Sequence, residues 1–426
     1  MDKSNKKNWF SSNLEKVYSK VLYNICYKIC QIMKIGMILD EVFPPDPRVE
    51  NEAITLANSG HDVFLFCLTY GNQLLNESTN GIQIRRYKSN KLIHKLSALS
   101  CDFFAYKMIM KPKIDHFIKK NSIEVLHIHD IRIAEAVFLS NKKFQLKVVL
   151  DLHDNIPENM KFYPHLNHFP GKYMISPNKW KTKEKEFIKQ SNKIITVSPN
   201  FAKQVIDSNN LEREKMVLVP NTVRASFFKD YSYSLEIKNK YLDKYVLLYL
   251  GDTHVRRGLL TAIRASKTLS KTIPNFKLVI VGRNTTDTIL IQEVKRLNLE
   301  PYVDFEGWKD VSLFPSYILS SNVCISPLNR SIQHDIAYAN KIFQYMSFAK
   351  PILVSNATAQ KELVERVSSG LVHEEKNEED FCCKVIELYQ NNDKAEKLGK
   401  NGKEFIENEF SWEITSKALV KLYDEL

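Results

Sequence analysis

Short apolar runs recur along this chain, separated by longer stretches in which apolar positions fall at helical spacing. Lys34 to Leu39 predicts a first strand, followed by the proline-rich loop Val42 to Arg48. A helix from about Val49 to Ser59, closed by Gly60, leads into a strand at Val63 to Leu68. Further strands are predicted at Val125 to Ile128, Val148 to Leu152, Ile194 to Val197 and Val217 to Val219. The polar stretch Lys229 to Lys244 reads as a join. A second series then begins at Tyr245 to Leu250, before Gly251, and continues at Lys277 to Val281, Val303 to Phe305, Val323 to Ser326 and Ile352 to Val354. From Glu378 the pattern is helical to Leu426. Such alternation predicts two doubly wound α/β domains with parallel sheets covered on both faces, and ligands at the carboxyl ends of their strands, in a cleft between the domains.

The segment Ala339 to Ser355 carries the densest chemistry. It reads as a short helix with Asn340 as its cap, ended before Pro351, then a buried strand. Asn340, Lys341 and Gln344 share a face at the helix start. A lysine beside free backbone N–H groups suits an anion such as a diphosphate, and Gln344 suits sugar hydroxyls. An ordinary amphipathic helix with its polar face in water is the structural alternative.

Length and charge then narrow the classes. A chain of 426 residues exceeds one ordinary core, so two domains are expected. Seven cysteines without a CxxC pair fit reduced thiols in a cytosol and no zinc framework. No apolar run approaches the roughly 18 residues of a membrane span, and no signal-peptide pattern is present. The net charge of +12 calls for an anionic partner. Part of it is local: Met1 to Met33 holds six lysines against Asp2 and Glu15, with Phe10, Leu14, Val17, Val21, Ile25 and Ile29 at helical spacing. This is the pattern of an interfacial amphipathic helix, or of a helix docked on its own domain or a second subunit. A second basic, aromatic region runs from Lys91 to Lys120. Neither region carries a nucleic-acid signature, so no nucleic-acid partner is expected and an anionic membrane surface is the better reading.

Neither first strand is followed by G-x-G-x-x-G, and no P-loop occurs, which argues against a dinucleotide oxidoreductase and an ATPase. Several segments instead resemble, in order, the family-4 glycosyltransferases of the GT-B fold. They are Lys34 to Ile38 with Asp46 to Ala53 and Ser59 to Val63, then Val125 to Asp130 and Asp151 to Asp154. Trp180, Glu184, Ile194 to Ser198 and Val219 to Asn221 follow. In the second half come Tyr249 to Gly251 with Arg257-Gly258, Val281-Gly282, Phe305 to Trp308, Ser326-Pro327, Lys341 to Ser355 and Phe410 to Glu413. The resemblance spans roughly Lys34 to Leu426.

The resemblance implies a GT-B fold of two Rossmann-like domains, 34–225 for the acceptor and 226–405 for the donor. An extension 1–33 precedes them, and a C-terminal helix, 406–426, returns to the N-terminal domain. It implies a nucleotide-sugar donor whose diphosphate is held by Gly251, Arg257 and Lys341. Two cations there would stabilise the departing diphosphate, and no cofactor or metal is expected, in keeping with the absence of a D-x-D triplet. Two departures stand out. The family's E-x7-E pair is replaced by Ile336 and Gln344, which leaves Asp335 or His334 to grip the donor sugar, with Asn340 and Gln344 on ribose or sugar. The glycines expected after the first strand are replaced by Pro44 to Arg48, so that Asp46 and Arg48 are expected to face the acceptor.

His127 and His129 are read as alternating along their strand, one facing the cleft; His129 is assigned to the catalytic centre with Asp335, and His127 to the core. His153 and Asp154 are placed on the acceptor side, and a metal site among these residues is the less favoured reading. The expected function is a metal-independent hexosyl- or N-acetylhexosaminyl-transferase, cytoplasmic and peripheral at the inner face of the cell membrane. It would act with retention on a lipid-linked glycan precursor of the kind that builds capsules or O-antigens. A UDP-sugar 2-epimerase of the same fold and a catalytically silent subunit are the alternatives.

Overall fold

A computed structural model describes residues 32–97, 104–163, 166 and 175–426. The amphipathic segment 1–31 therefore lies outside the described residues. By internal contacts the chain divides into two units, Met1–Val149 with Leu419–Leu426, and Leu150–Ala418.

In the first unit β1 (Lys34–Val42) lies between β2 (Asp62–Thr69) and β5 (Val125–His129), parallel to both. On the far side of β2 lie β4 (Ile82–Lys88), parallel to it, and β3 (Asn76–Thr79), antiparallel to β4. The predicted strands are present and slightly longer. The β3–β4 hairpin was not predicted, because its residues are mostly polar and half exposed. Its turn, Asn80-Gly81, has φ of 49° and 79°, and Asn-Gly is the pair that a two-residue hairpin favours. The helix Pro47–Asn58 starts two residues before the predicted position, because Asp46 caps it. Ile35, Met37, Val63, Leu65 and Leu126 are fully buried, so the sheet is covered on both faces.

β6 (Lys147–Leu152) carries the chain into the second unit. There β7 (Lys193–Thr196) and β8 (Met216–Leu218) pair in parallel. A six-stranded parallel sheet follows, built from β9 (Tyr245–Leu250), β10 (Phe276–Val281), β11 (Val303–Gly307), β12 (Val323–Ser326), β13 (Ile352–Ser355) and β14 (Gly370–His373). Its order is β11-β10-β9-β12-β13-β14. Alternate residues of β9 serve opposite layers: Leu247 and Tyr249 join the cluster that holds Leu259, Ile263 and Phe381, while Val246, Leu248 and Leu250 join that of Ile342, Phe343 and Met346. The stretch expected as a polar join, Lys229 to Lys244, holds the short helix Leu235–Tyr241, and another, Ala225–Lys229, ends where it begins. Near the C-terminus Trp412 is buried, its N–H donates to Val223 O at 2.8 Å, and Thr222 Oγ1 donates to Phe410 O at 2.7 Å. The last helix, Lys417–Asp424, ends among residues of the first unit.

Candidate functional site

β9 ends at Leu250, where Gly251 takes a φ of +107° and donates its N–H to Val281 O at 2.8 Å. A Cβ at Gly251 would stand in ordinary contact with Lys341 Nζ, at 3.5 Å, so it is the left-handed backbone there that favours glycine. Lys341 opens the helix Lys341–Ser347 and lays its Nζ 3.4 Å from the centroid of the Tyr249 ring, a cation–π contact. Burial, and secondly the positive charge of Arg257, push its pKa well below the ordinary lysine value. Arg257 closes a short turn, Val255–Arg257, and is followed by Gly258 at a φ of +77°. A Cβ on Gly258 would meet Pro327 O at 1.7 Å, so only glycine fits there. Arg257 Nε is 3.1 Å from Asp252 Oδ2. Asp252 Oδ1 in turn accepts from Asn284 Nδ2 at 2.7 Å and from His254 N at 3.2 Å. Gly251, Arg257 and Lys341, singled out in the sequence, thus belong to one cluster at the carboxyl end of β9. Asp252, Asn284 and Tyr249 complete it and were missed; the one sequence signal for Asp252 was a carboxylate directly after Gly251.

The helix start differs from the expectation. Asn340 has helical dihedrals and its side chain caps nothing. The N–H groups of Ile342 and Phe343 donate to Ala339 O and Asn340 O, at 2.9 and 3.1 Å, so the opening turn spends two of the donors expected to be free. Gln344, three residues after Lys341, is half-buried.

His334 is buried, and its Nδ1 lies 2.6 Å from Asn329 O. Burial lowers its pKa to about 4, so the ring is neutral and Nδ1 carries the donated hydrogen. Its Nε2, which has no hydrogen-bond partner among the described residues, is left as an acceptor. Asp335 is occupied differently. It pairs with Arg330 at 3.1 Å, and its Oδ1 accepts from Thr358 N at 2.9 Å at the start of the helix Thr358–Val367. Asp335, expected at the catalytic centre, is thus held by Arg330 and by the start of that helix.

Next to His334, Gln333 Nε2 donates to Asp154 Oδ1 at 2.7 Å and its Oε1 accepts from Asn155 N at 2.9 Å. Arg256 Nη1 donates to Asn159 Oδ1 at 3.0 Å. Burial raises the Asp154 pKa, opposed by His153, Arg257 and Arg256. His153 Nε2 is 2.8 Å from Asp151 Oδ2. Glu306, in the Phe305 to Trp308 motif, is bonded by Tyr241 and Tyr317 at 2.8 and 2.6 Å and by Lys240. Burial opposes its ionisation, but those three donors outweigh it and hold the pKa at about 2.

In the first unit, Asp46 and Arg48, expected to face the acceptor, both have structural partners. Asp46 Oδ1 accepts from Arg48 N and Val49 N, each at 3.1 Å, as a helix cap. The Arg48 side chain is buried and pairs with Glu52 Oε1 at 2.8 Å. The alternation of His127 and His129 is also corrected: residues two apart in a strand share a face, and the two rings stack at 4.5 Å between centroids. His127 Nε2 is 3.4 Å from Glu52 Oε2, and its Nδ1 is 2.8 Å from Tyr423 Oη. Glu52, His127 and His129 offer potential metal-ligand atoms within 4.8 Å of one another. The Arg48 and Tyr423 contacts already engage two of the three.

Comparison with known proteins gives this arrangement its class. Residues 48–227 match the family described as Glycosyltransferase Family 4, and residues 234–405 match Glycosyl transferases group 1. The chain belongs to the family-4 type glycosyltransferases of the GT-B fold. An uncharacterized glycosyltransferase of Methanocaldococcus jannaschii is 24% identical over 86% of this chain and 91% of its own. The capsular polysaccharide biosynthesis glycosyltransferase CapM of Staphylococcus aureus is 24% identical over 54% of this chain and 61% of its own. Among solved structures, sucrose-phosphate synthase from Thermosynechococcus elongatus superposes with a TM-score of 0.74 at 17% identity, over 92% of this chain and 98% of that one. Anabaena HepE, in complex with UDP, superposes at 0.70 and 13% identity, over 92% and 100%.

Proposed function

We propose that the protein transfers a sugar from a UDP- or GDP-linked donor to a hydroxyl of a membrane-anchored glycan precursor, with retention and without metal. One observation carries the donor half of this reading: Lys341 and Arg257 belong to one cluster around the bare backbone of Gly251, with Tyr249 beneath the ammonium. Two cations at a strand's carboxyl end can take up the charge that gathers on a departing nucleoside diphosphate. The similarity to HepE, whose structures hold UDP and UDP-glucose, favours a uridine donor. Gln344 would meet the ribose, and neutral His334 would accept from a donor-sugar hydroxyl through Nε2. His129 is the residue of the first unit assigned to the reacting sugar, and His153 and Asp154 to the acceptor.

The similarity to CapM supports a surface-polysaccharide acceptor. No helix among the described residues is long and apolar enough to cross a membrane. The lysine-rich segment 1–33, and the exposed Leu92, Phe104 and Met108 of the basic region after β4, would hold the enzyme at an anionic membrane face. A silent subunit is the second reading, favoured by Ile336 in place of a carboxylate and by the engagement of Asp335 with Arg330 and Thr358. Calorimetric titration with UDP and GDP, followed by a donor screen on lipid-linked acceptors, separates the two. Binding and transfer support the enzyme, and binding of neither nucleotide supports the silent subunit.

A further inference from the structure

Asp252 is an unexpected neighbour for a diphosphate. A negative side chain directly follows Gly251, and its Oδ2 holds Arg257 Nε at 3.1 Å. It is also tied in place: Oδ1 accepts from Asn284 Nδ2 and from His254 N. Asn284 is itself anchored, its N–H donating to Asp287 Oδ2 at 2.9 Å, while Asp287 Oδ1 accepts from Thr253 Oγ1. A carboxylate with these bonds keeps its position when Arg257 turns to a ligand. Its surroundings keep it charged, since Arg257, Asn284 and His254 outweigh the opposing burial and lower its pKa. Around it also stand Arg256, His254 and Lys341, whose pKa values burial lowers, and Tyr249, whose hydroxyl donates to Asp252 O at 2.6 Å and whose pKa burial raises.

We propose that Asp252 is a fixed counter-charge that makes this site prefer the nucleotide-sugar over the nucleoside diphosphate left after transfer. The preference follows from charge. The diphosphate of a nucleotide-sugar is esterified at both ends, whereas the free nucleoside diphosphate has a terminal phosphate with a second ionisation near pH 6. At pH 8 the product therefore carries about one more negative charge than the donor. Arg257 and Lys341 attract both molecules, and Asp252 repels the product more. The carboxylate thus weakens binding overall and eases release of the spent nucleotide.

The inference rests on the donor-site reading, and calorimetry on the full chain at pH 8 tests the two separately. The probes are UDP with UDP-glucose, and GDP with GDP-mannose. Asp252→Asn keeps the size and the acceptor oxygen but removes the charge. It should tighten UDP more than UDP-glucose, shifting the ratio of their affinities by roughly fivefold, the scale of a partly exposed charge pair. Asp252→Glu retains the charge and should keep the ratio of the parent. An unchanged ratio in Asp252→Asn, or weaker binding of both ligands, overturns the proposal while leaving the donor site intact. A ratio in Asp252→Glu that matches the Asn variant overturns it as well, because charge is then not the cause. Failure of every nucleotide to bind the parent overturns the donor-site reading, and this proposal with it.

Discussion

The hydroxyl of Tyr423, three residues from the C-terminal Leu426, lies 2.8 Å from Nδ1 of His127 in β5. Both residues are buried, and His127 in turn faces Glu52 and stacks on His129. The last helix is therefore fastened to the strand that carries the candidate catalytic histidine. Tyr423→Phe should destabilise the chain by about 1–3 kcal/mol, the cost of removing one buried hydrogen bond. Urea denaturation measures it. A midpoint unchanged from the parent would show that the bond contributes nothing.

On the proposed donor-site reading, Lys341 and Arg257 hold the diphosphate. Alanine at either position should weaken a nucleoside diphosphate by roughly 1.5–3 kcal/mol, the range of a charge-assisted hydrogen bond, while leaving folding nearly intact. Gln344→Ala should weaken nucleotide and nucleotide-sugar alike, and Gln344→Glu should be tolerated. Calorimetry with the purified variants reads all four, and parental affinity in both alanine variants of the cations would place the diphosphate elsewhere.

If Lys341 holds the diphosphate, its lowered pKa should make binding pH-dependent. Burial favours the neutral amine in the free protein, whereas a bound diphosphate favours the ammonium. Binding should therefore take up a proton, and affinity should fall as pH rises through the pKa of the free protein. Calorimetry in buffers of different ionisation enthalpy gives the proton count directly. Lys341→Arg, which stays charged, should abolish the uptake.

Two buried histidines should limit acid stability. Burial holds His334 and His373 at about 4, below the ordinary value of 6.5. Between those values the unfolded chain binds protons that the folded chain refuses, so stability should fall as pH drops from 6.5 towards 4. The expected loss is of the order of 1–3 kcal/mol per histidine. Urea midpoints at pH 7.5 and pH 5 test it, and His373→Gln should reduce the difference.

A chain beginning at Met33 should retain its fold and its action on a soluble acceptor analogue, yet bind acidic liposomes less well. Each lysine near the surface adds up to about 1 kcal/mol at modest salt, and the difference should shrink as salt rises. Co-sedimentation decides this. Equal binding by both forms would assign membrane contact to the region Lys91 to Lys120 or abolish it.

The sequence by itself determined the strand series and the places of Gly251, Arg257 and Lys341 at the ends of its elements. Buried parallel strands write themselves as apolar runs, and Gly251, Arg257 and Lys341 sit at strand and helix ends that those runs predict. The Asn80-Gly81 turn went unread although Asn-Gly is a local hairpin signal, because the strands it joins are mostly polar. Tertiary structure decided what the polar side chains do, because a carboxylate takes its role from whichever donor the fold brings to it. Asp335 acquired Thr358 and Arg330, Arg48 was buried on Glu52, and Asp252 was fixed between Arg257 and Asn284. The His127–Tyr423 bond joins residues 296 positions apart, a separation at which no local pattern carries information. Periodicity reports burial, which each residue carries with it, whereas hydrogen-bond partners exist only once the chain has closed upon itself.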